Sequence, residues 1–246
     1  MRVIASLSTI PQRVSSLHLT LESLIDQTYP ISEIHLNIPF FCLRTGERYE
    51  IPEEIRNIPN VKIFRTEDFG AITKVAPTFK RLFNSENTYI YQVDDDRLYP
   101  KHALDLLVQG MSINDEKKII CRFGGALNVG SDFVPWYGKG EVSLIEGYGG
   151  VLYPPMCPKL DFFRILDEVK EIEYIRKSDD VFLSMYFKHI GIPIYMYNPI
   201  TSQNQYVIEE TPMSQIQALS ENLHDANYGN SFKTLSTIFE RENLSS

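Results

Sequence analysis

Short, nearly continuous apolar runs alternate with helical periodicities along the first half of the chain. The runs at Arg2–Leu7 and Glu33–Pro39 predict strands that are buried on both faces. Similar runs at Val61–Arg65, Thr88–Val93 and Lys118–Arg122 predict three more strands. This alternation predicts an α/β fold, a single Rossmann-like domain whose mostly parallel central sheet carries helices on both faces.

Apolar residues three and four positions apart predict the helices between these strands. One helix follows Val14 and ends before Pro30, a second surrounds Thr78–Phe83, and a third follows Pro100. The segment Phe40–Asn60 has no clean period, which predicts a loop with one short helix. The first half therefore follows a β-α-β-β-α-β order.

Aromatic residues and glycines dominate the middle of the chain. Their density over Phe123–Gly150 predicts loops and a binding surface. Within it, Glu146–Gly150 predicts a glycine-rich turn ahead of a strand at Val151–Tyr153, because glycine lets a backbone approach a ligand closely. A simple turn without a ligand is the alternative.

The last third of the chain contains two more helical patterns and one strand. The helices are predicted at Leu160–Val169 and Asp180–Ile190, and the strand at Ile192–Tyr197. The tail from Ser214 is predicted to be mostly helical, with a break near Asn227–Asn230. No linker divides the chain, so we expect one domain.

Composition and charge narrow the class of protein. The 246 residues are 43% apolar and 23% charged, which excludes disordered, collagen-like and coiled-coil chains. Lys and Arg number 24 against 32 Asp and Glu, a formal charge of −8, and no basic block is present, so we expect no nucleic-acid partner. Cys42, Cys121 and Cys157 fit neither a disulfide framework nor a zinc site.

The lengths of the apolar stretches also indicate where in the cell the protein is expected. The N-terminal stretch is too short and too polar for a signal peptide, and no run approaches the ~20 residues that span a bilayer. We therefore expect a cytoplasmic protein, with peripheral contact with a membrane left open.

Three consecutive aspartates follow the predicted fourth strand. Adjacent carboxylates repel one another, so this arrangement costs stability unless a cation offsets it. Mg²⁺ or Mn²⁺ prefers such oxygen ligands and keeps positions open for substrate phosphates. In an extended chain Asp94 and Asp96 point one way and Asp95 the other, so one face can hold a metal while the other bonds a ligand hydroxyl. An ordinary acidic turn is the alternative.

Three segments in order resemble one family. SLSTIPQRV (6–14) is similar to its first strand-to-helix turn, DFGAITKVAP (68–77) to its D-x-G-x-x-T-K segment, and VDDD (93–96) to its D-x-D motif. The family is the GT-A class of nucleotide-sugar glycosyltransferases, in particular small bacterial and large-virus members of the family 2 type. The resemblance implies a nucleotide-sugar donor half over residues 1–100 and an acceptor half over residues 101–246, with a helical tail.

The resemblance also implies roles for the residues that match its first two motifs. Thr9 to Arg13 would contact the nucleotide base or its phosphates, Asp68 would hydrogen-bond the base or ribose, and Lys74 would lie near the diphosphate. Ordinary surface positions are the alternatives for Arg13 and Lys74. The chain departs from the family at 71–72, where Ala-Ile replaces the common Pro-Ala.

For the third motif the resemblance implies that Asp94 faces the ribose or sugar and that Asp96 ligates the metal. Several members of the class complete the metal site with a late histidine, which makes His224 a second candidate ligand. A histidine without a metal role is the alternative.

An acidic pair, Asp179 and Asp180, precedes the predicted helix that begins near residue 180. A sugar transferase that inverts the anomeric carbon needs one general base near the acceptor hydroxyl. In the resembling family an acidic pair opens the same late helix and supplies that base. We expect Asp180 to be the base, with Asp179 as the alternate, although a helix N-cap would also explain Asp179.

Together these observations predict a metal-dependent, inverting glycosyltransferase of glycan or polysaccharide biosynthesis. It would use Mn²⁺ or Mg²⁺ and move a sugar from a nucleotide-diphosphate sugar to a hydroxyl of a glycan, lipid-linked or protein acceptor. Two alternatives are a nucleotidyltransferase on the same fold and a non-catalytic nucleotide-sugar-binding module. The first needs a glycine-rich phosphate loop, and SLSTIPQR has no glycine.

Overall fold

Four parallel strands form the first half of the central sheet in the computed structural model. They are β1 (Arg2–Ser8), β2 (Glu33–Pro39), β3 (Val61–Thr66) and β4 (Thr88–Gln92), in the spatial order β3-β2-β1-β4. Each agrees with its predicted bounds to within one residue. The apolar runs are continuous because helices cover both faces of the sheet and leave no solvent-facing side for most of them.

The structure describes residues 1–114, 117–127, 133–136, 138–199, 207–216 and 224–245. The later strands within these ranges are β5 (Arg97–Leu98), β6 (Ile119–Leu127), β7 (Phe133–Pro135), β8 (Lys139–Val142), β9 (Leu144–Tyr153), β10 (Ile194–Tyr197) and β11 (Glu209–Glu210). Across these ranges the central sheet has the order β3-β2-β1-β4-β9-β6-β10-β8, with β7 beside β6, and β5 pairs with β11 separately.

One antiparallel strand joins the two halves of the sheet. β9 runs antiparallel to both β4 and β6, so β6 returns to the direction of β4, and β10 lies parallel to β6. Six strands, β1 to β4, β6 and β10, therefore share one direction. Their common direction confirms the predicted mostly parallel sheet, and it brings the carboxyl ends of β1 to β4 to one edge.

Helices occupy both faces of this sheet, as predicted. The helices are α1 (Leu17–Ile25), α2 (Glu53–Arg56), α3 (Ala76–Arg81), α4 (Ala103–Ser112), α5 (Asp161–Val169), α6 (Glu173–Arg176), α7 (Asp179–His189) and α8 (His224–Ser245). Short 3₁₀ segments at Pro11–Ser16 and Gly70–Lys74 precede α1 and α3. α1 and α4 pack on one face of the sheet, and α3, α5, α7 and α8 pack on the other. Among the described residues no helix is both long and apolar enough to cross a bilayer.

Three of the sequence-based predictions for the second half are wrong. The segment Phe123–Gly150, which was expected to form loops, contributes in its described parts to β6, β7, β8 and β9. The tail does not break near Asn227–Asn230, because α8 continues through those residues. Glu146–Gly150 is not a turn ahead of a strand but part of the long strand β9. The opposing register passes from Cys121↔Val151 to Phe123↔Glu146, so residues 147–150 of β9 form a bulge opposite one residue of β6. Such a bulge bends the strand and redirects its side chains.

Candidate active site

A cleft of about 910 Å³ opens at the carboxyl edge of the parallel strands. In open α/β sheets this edge is where ligands bind, and the volume lies in the range of small-molecule sites. Nine of the ten predicted site residues line the cleft: Thr9, Arg13, Asp68, Lys74, Asp94, Asp95, Asp96, Asp179 and Asp180. The tenth, His224, is the first residue of α8, and its side chain lies outside the part of the chain that the structure describes.

Asp95 is held by the protein itself. Thr9 Oγ1 donates a hydrogen bond of 2.6 Å to Asp95 Oδ2, and Arg13 Nη1 lies 3.0 Å from Asp95 Oδ1. The Thr20 hydroxyl donates to the Asp95 carbonyl oxygen at 2.8 Å. These contacts fix the first strand-to-helix turn against the aspartate triplet. The predicted ligand contacts of Thr9, Arg13 and Asp95 remain predictions.

Asp96 faces the cleft between two guanidinium groups. Arg13 Nη1 lies 2.8 Å from Asp96 Oδ2, and Arg97 Nε lies 3.4 Å from Asp96 Oδ1. Burial, followed by the charges of Asp94 and Asp95, nevertheless raises the pKa of Asp96 to about 6. The two arginines thus compensate the crowded carboxylates only in part.

Lys74 joins the two halves of the cleft. Its Nζ lies 2.6 Å from Asp94 Oδ1, at the end of β4, and 3.0 Å from Asp179 Oδ2, at the start of α7. Burial lowers the pKa of Lys74, but Asp179 and Asp94 outweigh it and hold that pKa well above its usual value. Lys74 also holds the pKa of Asp94 below its usual value, against the effect of burial. The ammonium is therefore charged and neutralises two carboxylates.

The acidic pair at the start of α7 divides into two environments. Asp179 is buried and forms the ion pair with Lys74. Asp180 is partly exposed to the cleft, and its Oδ1 accepts a hydrogen bond of 3.1 Å from the Gly147 amide. Burial and the neighbouring Asp179 charge raise the pKa of Asp180 well above its usual value. A raised pKa and access to the cleft are the properties of a carboxylate that can accept a proton.

Asp68 connects three segments beside the cleft. Its Oδ2 accepts a hydrogen bond of 2.8 Å from the Leu43 amide, and its Oδ1 accepts one of 2.7 Å from the Gly70 amide. Arg176 Nη2 lies 3.4 Å from the same Oδ1. Gly70 has φ +76°, and a Cβ there would collide with the Arg176 backbone, so glycine is required at this position. Asp68 thus anchors the loop after β2, and its contact with a nucleoside remains a prediction.

Other side chains line the cleft besides the predicted catalytic and binding residues. Arg97 directly follows the triplet, and Tyr228 reaches the cleft from α8. Glu146 and Tyr148 belong to the glycine-rich segment that was expected to approach a ligand; Tyr148 lies within the bulge of β9 and Glu146 directly precedes it. The glycines around Tyr148 were a signal for the bulge, whereas nothing in the local pattern marks Tyr228.

Acidic groups outnumber basic groups in the cleft. The carboxylates are Asp68, Asp94, Asp95, Asp96, Glu146, Glu173, Asp179, Asp180 and Glu210, and the cations are Arg13, Arg44, Lys74, Arg97, Arg176 and Lys177. The described lining residues therefore include three more carboxyl groups than basic side chains. Within the same described ranges, no group of three or more His, Cys, Asp or Glu side chains forms a metal-binding cluster by itself.

Comparison with known proteins relates the fold to one class. No protein-family model and no curated protein sequence matches the chain. A crystal structure of S. aureus TarS aligns with a TM-score of 0.54 and 15% identity, over 100% of this chain and 40% of that chain. A structure of TarS 1–349 aligns with a TM-score of 0.50 and 16% identity, over 99% of this chain and 74% of that chain.

TarS is a GT-A-type glycosyltransferase, and this chain has a GT-A glycosyltransferase-like fold. The fold expected from the three sequence motifs is therefore confirmed. The chain spans less than half the length of the first of these two TarS structures.

Proposed function

We propose that the protein is a metal-dependent glycosyltransferase that moves a sugar from a nucleotide-diphosphate sugar to an acceptor hydroxyl with inversion, in glycan or polysaccharide biosynthesis. The observation that supports this function most is the convergence of two halves of the chain on one cleft. The triplet and Lys74 come from the donor half, and Asp180 comes from the acceptor half.

The residues present fit a hard divalent cation. Asp96 lines the cleft, its pKa is raised to about 6 by burial and its acidic neighbours, and the cleft carries an excess of carboxylates. Mg²⁺ in particular is commonly held by one or two carboxylates together with substrate phosphates, so a third protein ligand is not required. Asp96, with Asp94 beside it, would hold the ion. The ion would stabilise the negative charge of the departing diphosphate.

The chain's own residues account for the other parts of the reaction. Asp180 takes the proton from the acceptor hydroxyl as the oxygen forms its bond to the anomeric carbon. The anomeric C–O bond to the diphosphate breaks on the opposite side, and the diphosphate leaves with the electron pair. Arg13 and Lys74 neutralise the adjacent carboxylates, which lets an anionic donor approach them.

Donor binding followed by turnover tests this function. Thermal unfolding is measured with UDP-, GDP- and TDP-sugars, with and without Mn²⁺. A donor at 100 times its dissociation constant is expected to add roughly 2.7 kcal/mol to the free energy of unfolding. Asp96→Asn is expected to lose the Mn²⁺-dependent part of that gain, and the exposed control Asp26→Asn to retain it.

Turnover then separates an enzyme from a binding module. Asp180→Asn is expected to retain donor binding and to lose sugar transfer. If no nucleotide diphosphate stabilises the protein in a metal-dependent way, the proposed function is wrong. If donors bind and Asp180→Asn transfers sugar at the full rate, Asp180 is not the base.

A further inference from the structure

The ion pairs in the cleft single out two carboxylates. Of the nine carboxylates that line the cleft, seven lie within 4.0 Å of a Lys or Arg nitrogen. They are Asp68, Asp94, Asp95, Asp96, Glu173, Asp179 and Glu210. Among the described residues, Asp180 and Glu146 have no such cation partner. Asp180 is the base of the proposed reaction, whereas that reaction does not use Glu146.

Glu146 lies beside the candidate base. The amide that donates to Asp180 Oδ1 belongs to Gly147, the next residue along β9. A Cβ on Gly147 would lie 2.7 Å from Asp180 Oδ1, which shows how closely β9 and α7 approach here. Because side chains alternate along a strand, Glu146 and Gly147 face opposite ways in a regular strand, and the bulge at residues 147–150 alters this local geometry. Both Glu146 and Asp180 line the cleft.

The carboxylate of Glu146 lacks a hydrogen-bond donor within the described part of the chain. Burial raises the pKa of Glu146. Burial, followed by the charges of Asp180, Asp179 and Glu146, also raises the pKa of Tyr228, which lines the same cleft. A half-buried carboxylate without a donor costs free energy, which a ligand that brings donors recovers. This part of the cleft therefore favours a ligand rich in hydroxyl groups.

We infer that Glu146 binds the acceptor, by accepting a hydrogen bond from a hydroxyl next to the one that Asp180 deprotonates. The acceptor is then an uncharged sugar or polyol around its reacting hydroxyl. A phosphate or carboxylate at that place would meet two carboxylates that, among the described residues, have no Lys or Arg nitrogen within 4.0 Å, and like charges at short distance repel strongly in a partly buried site. This inference rests on the proposed function and adds the chemical class of its acceptor.

Ligand-observed NMR tests the acceptor class without turnover. Saturation transfer is measured from the UDP- and Mn²⁺-loaded protein to four neutral probes: methyl β-glucopyranoside, methyl β-galactopyranoside, methyl α-mannopyranoside and ribitol. Glucose 6-phosphate and methyl β-glucuronide are the anionic counterparts. At least one neutral probe is expected to bind, and both anionic probes are expected to bind more weakly. Preferential binding of an anionic probe, or no binding of any neutral probe, overturns the inference.

Variants of Glu146 test the residue itself. Glu146→Gln is expected to weaken the bound neutral probe, and to raise its KM in transfer, by about tenfold or more, because a charged acceptor of the hydrogen bond is lost. At saturating acceptor its kcat is expected to stay within about threefold of the wild type. Glu146→Asp keeps the negative charge, so its affinity for the neutral probe is expected to lie between those of the wild type and Glu146→Gln. The surface control Glu141→Gln is expected to bind the probe like the wild type.

The following results distinguish a failure of the proposed function from a failure of the role assigned to Glu146. If a donor stabilises Glu146→Gln against thermal unfolding, that variant is folded. If a donor stabilises neither Glu146→Gln nor the wild type, the proposed function is rejected rather than the acceptor site. Unchanged probe binding in Glu146→Gln rejects the role of Glu146. Loss of kcat in Glu146→Gln, with the acid limb of the pH profile removed and Asp180→Asn still active, would make Glu146 the base and overturn the inference.

Discussion

The Lys74 ammonium lies 3.0 Å from Oδ2 of Asp179, so an ion pair between the two halves of the chain forms inside the cleft. The same ammonium contacts Asp94 at 2.6 Å. One largely buried cation thus links the end of β4 to the start of α7. The position of Asp180 depends on this link because it follows Asp179 directly.

Removing the charge of Lys74 is expected to destabilise the fold. Lys74→Met leaves the partly buried Asp94 and the buried Asp179 without their cation, and breaking a buried ion pair in this way costs about 3–5 kcal/mol. Denaturant unfolding at pH 7.5 measures the loss. Lys177→Met is the matched control, because its partner Glu173 is largely exposed and little change is expected there. Equal stability of the two variants would contradict the bridging role of Lys74.

Substitution of Asp95 and of Asp96 by Asn is expected to change the free energy of unfolding in opposite directions. Asp95→Asn disturbs the contacts with Thr9 and Arg13, and is expected to lower the free energy of unfolding by roughly 2 kcal/mol. Asp96→Asn removes a carboxylate whose pKa is raised to about 6, chiefly by burial and then by Asp94 and Asp95.

The folded state of the wild type binds that proton of Asp96 more tightly than the unfolded chain. The ionised group therefore disfavours folding above pH 6, and Asp96→Asn is expected to be more stable than the wild type at pH 7.5 in EDTA. The advantage is expected to disappear near pH 4, where Asp96 is protonated in the folded state. A variant that is less stable at both pH values would count against this assignment.

A side chain at Gly147 is expected to displace the candidate base. A Cβ there would lie 2.7 Å from Asp180 Oδ1 and 2.9 Å from Gln92 Nε2, so Gly147→Ala must shift the ends of these two side chains. We expect a loss of most sugar transfer with donor binding retained, and only a small loss of stability, because no backbone atom is in the way. Gly140→Ala is the control, because the nearest contact of its Cβ is an ordinary 3.5 Å. Full transfer activity in Gly147→Ala would show that the close approach is unimportant.

His35 is expected to contribute a loss of stability in mild acid. Burial lowers the pKa of this histidine from 6.5 to about 4, so it stays neutral in the fold while the unfolded chain takes up a proton. The contribution of His35 to the free energy of unfolding therefore decreases as the pH falls from 6.5 towards 4, by up to about 3 kcal/mol at ~1.4 kcal/mol per pH unit, whereas the contribution of Asp96 changes in the opposite direction. The contribution of His35 is measured by denaturant unfolding of the wild type and of His35→Gln at pH 7 and pH 5. A pH dependence that is the same in both would exclude His35 as its source.

Local patterns in the amino-acid sequence were sufficient to predict the strands of the first half and the positions of the three motifs. Continuous apolar runs identified β1 to β4 because strands buried on both faces need no polar residues. The three motifs lie where these strands end, and parallel strands end at one edge, so Thr9, Asp68, Lys74 and Asp94 could be expected to converge. The same reasoning failed at 147–150, where glycines that permit a bulge look like glycines that form a turn.

Which charged side chains form ion pairs, in contrast, depends on how the folded chain brings distant segments together. Lys74 pairs with Asp179 across 105 positions of the chain, and Tyr228 enters the cleft from a helix whose local sequence gives no hint of it. Ion pairing depends on distances of a few ångströms between segments that are remote in sequence, and no periodicity encodes such distances. For this reason Glu146 became distinguishable from its paired neighbours only once the cleft had been assembled.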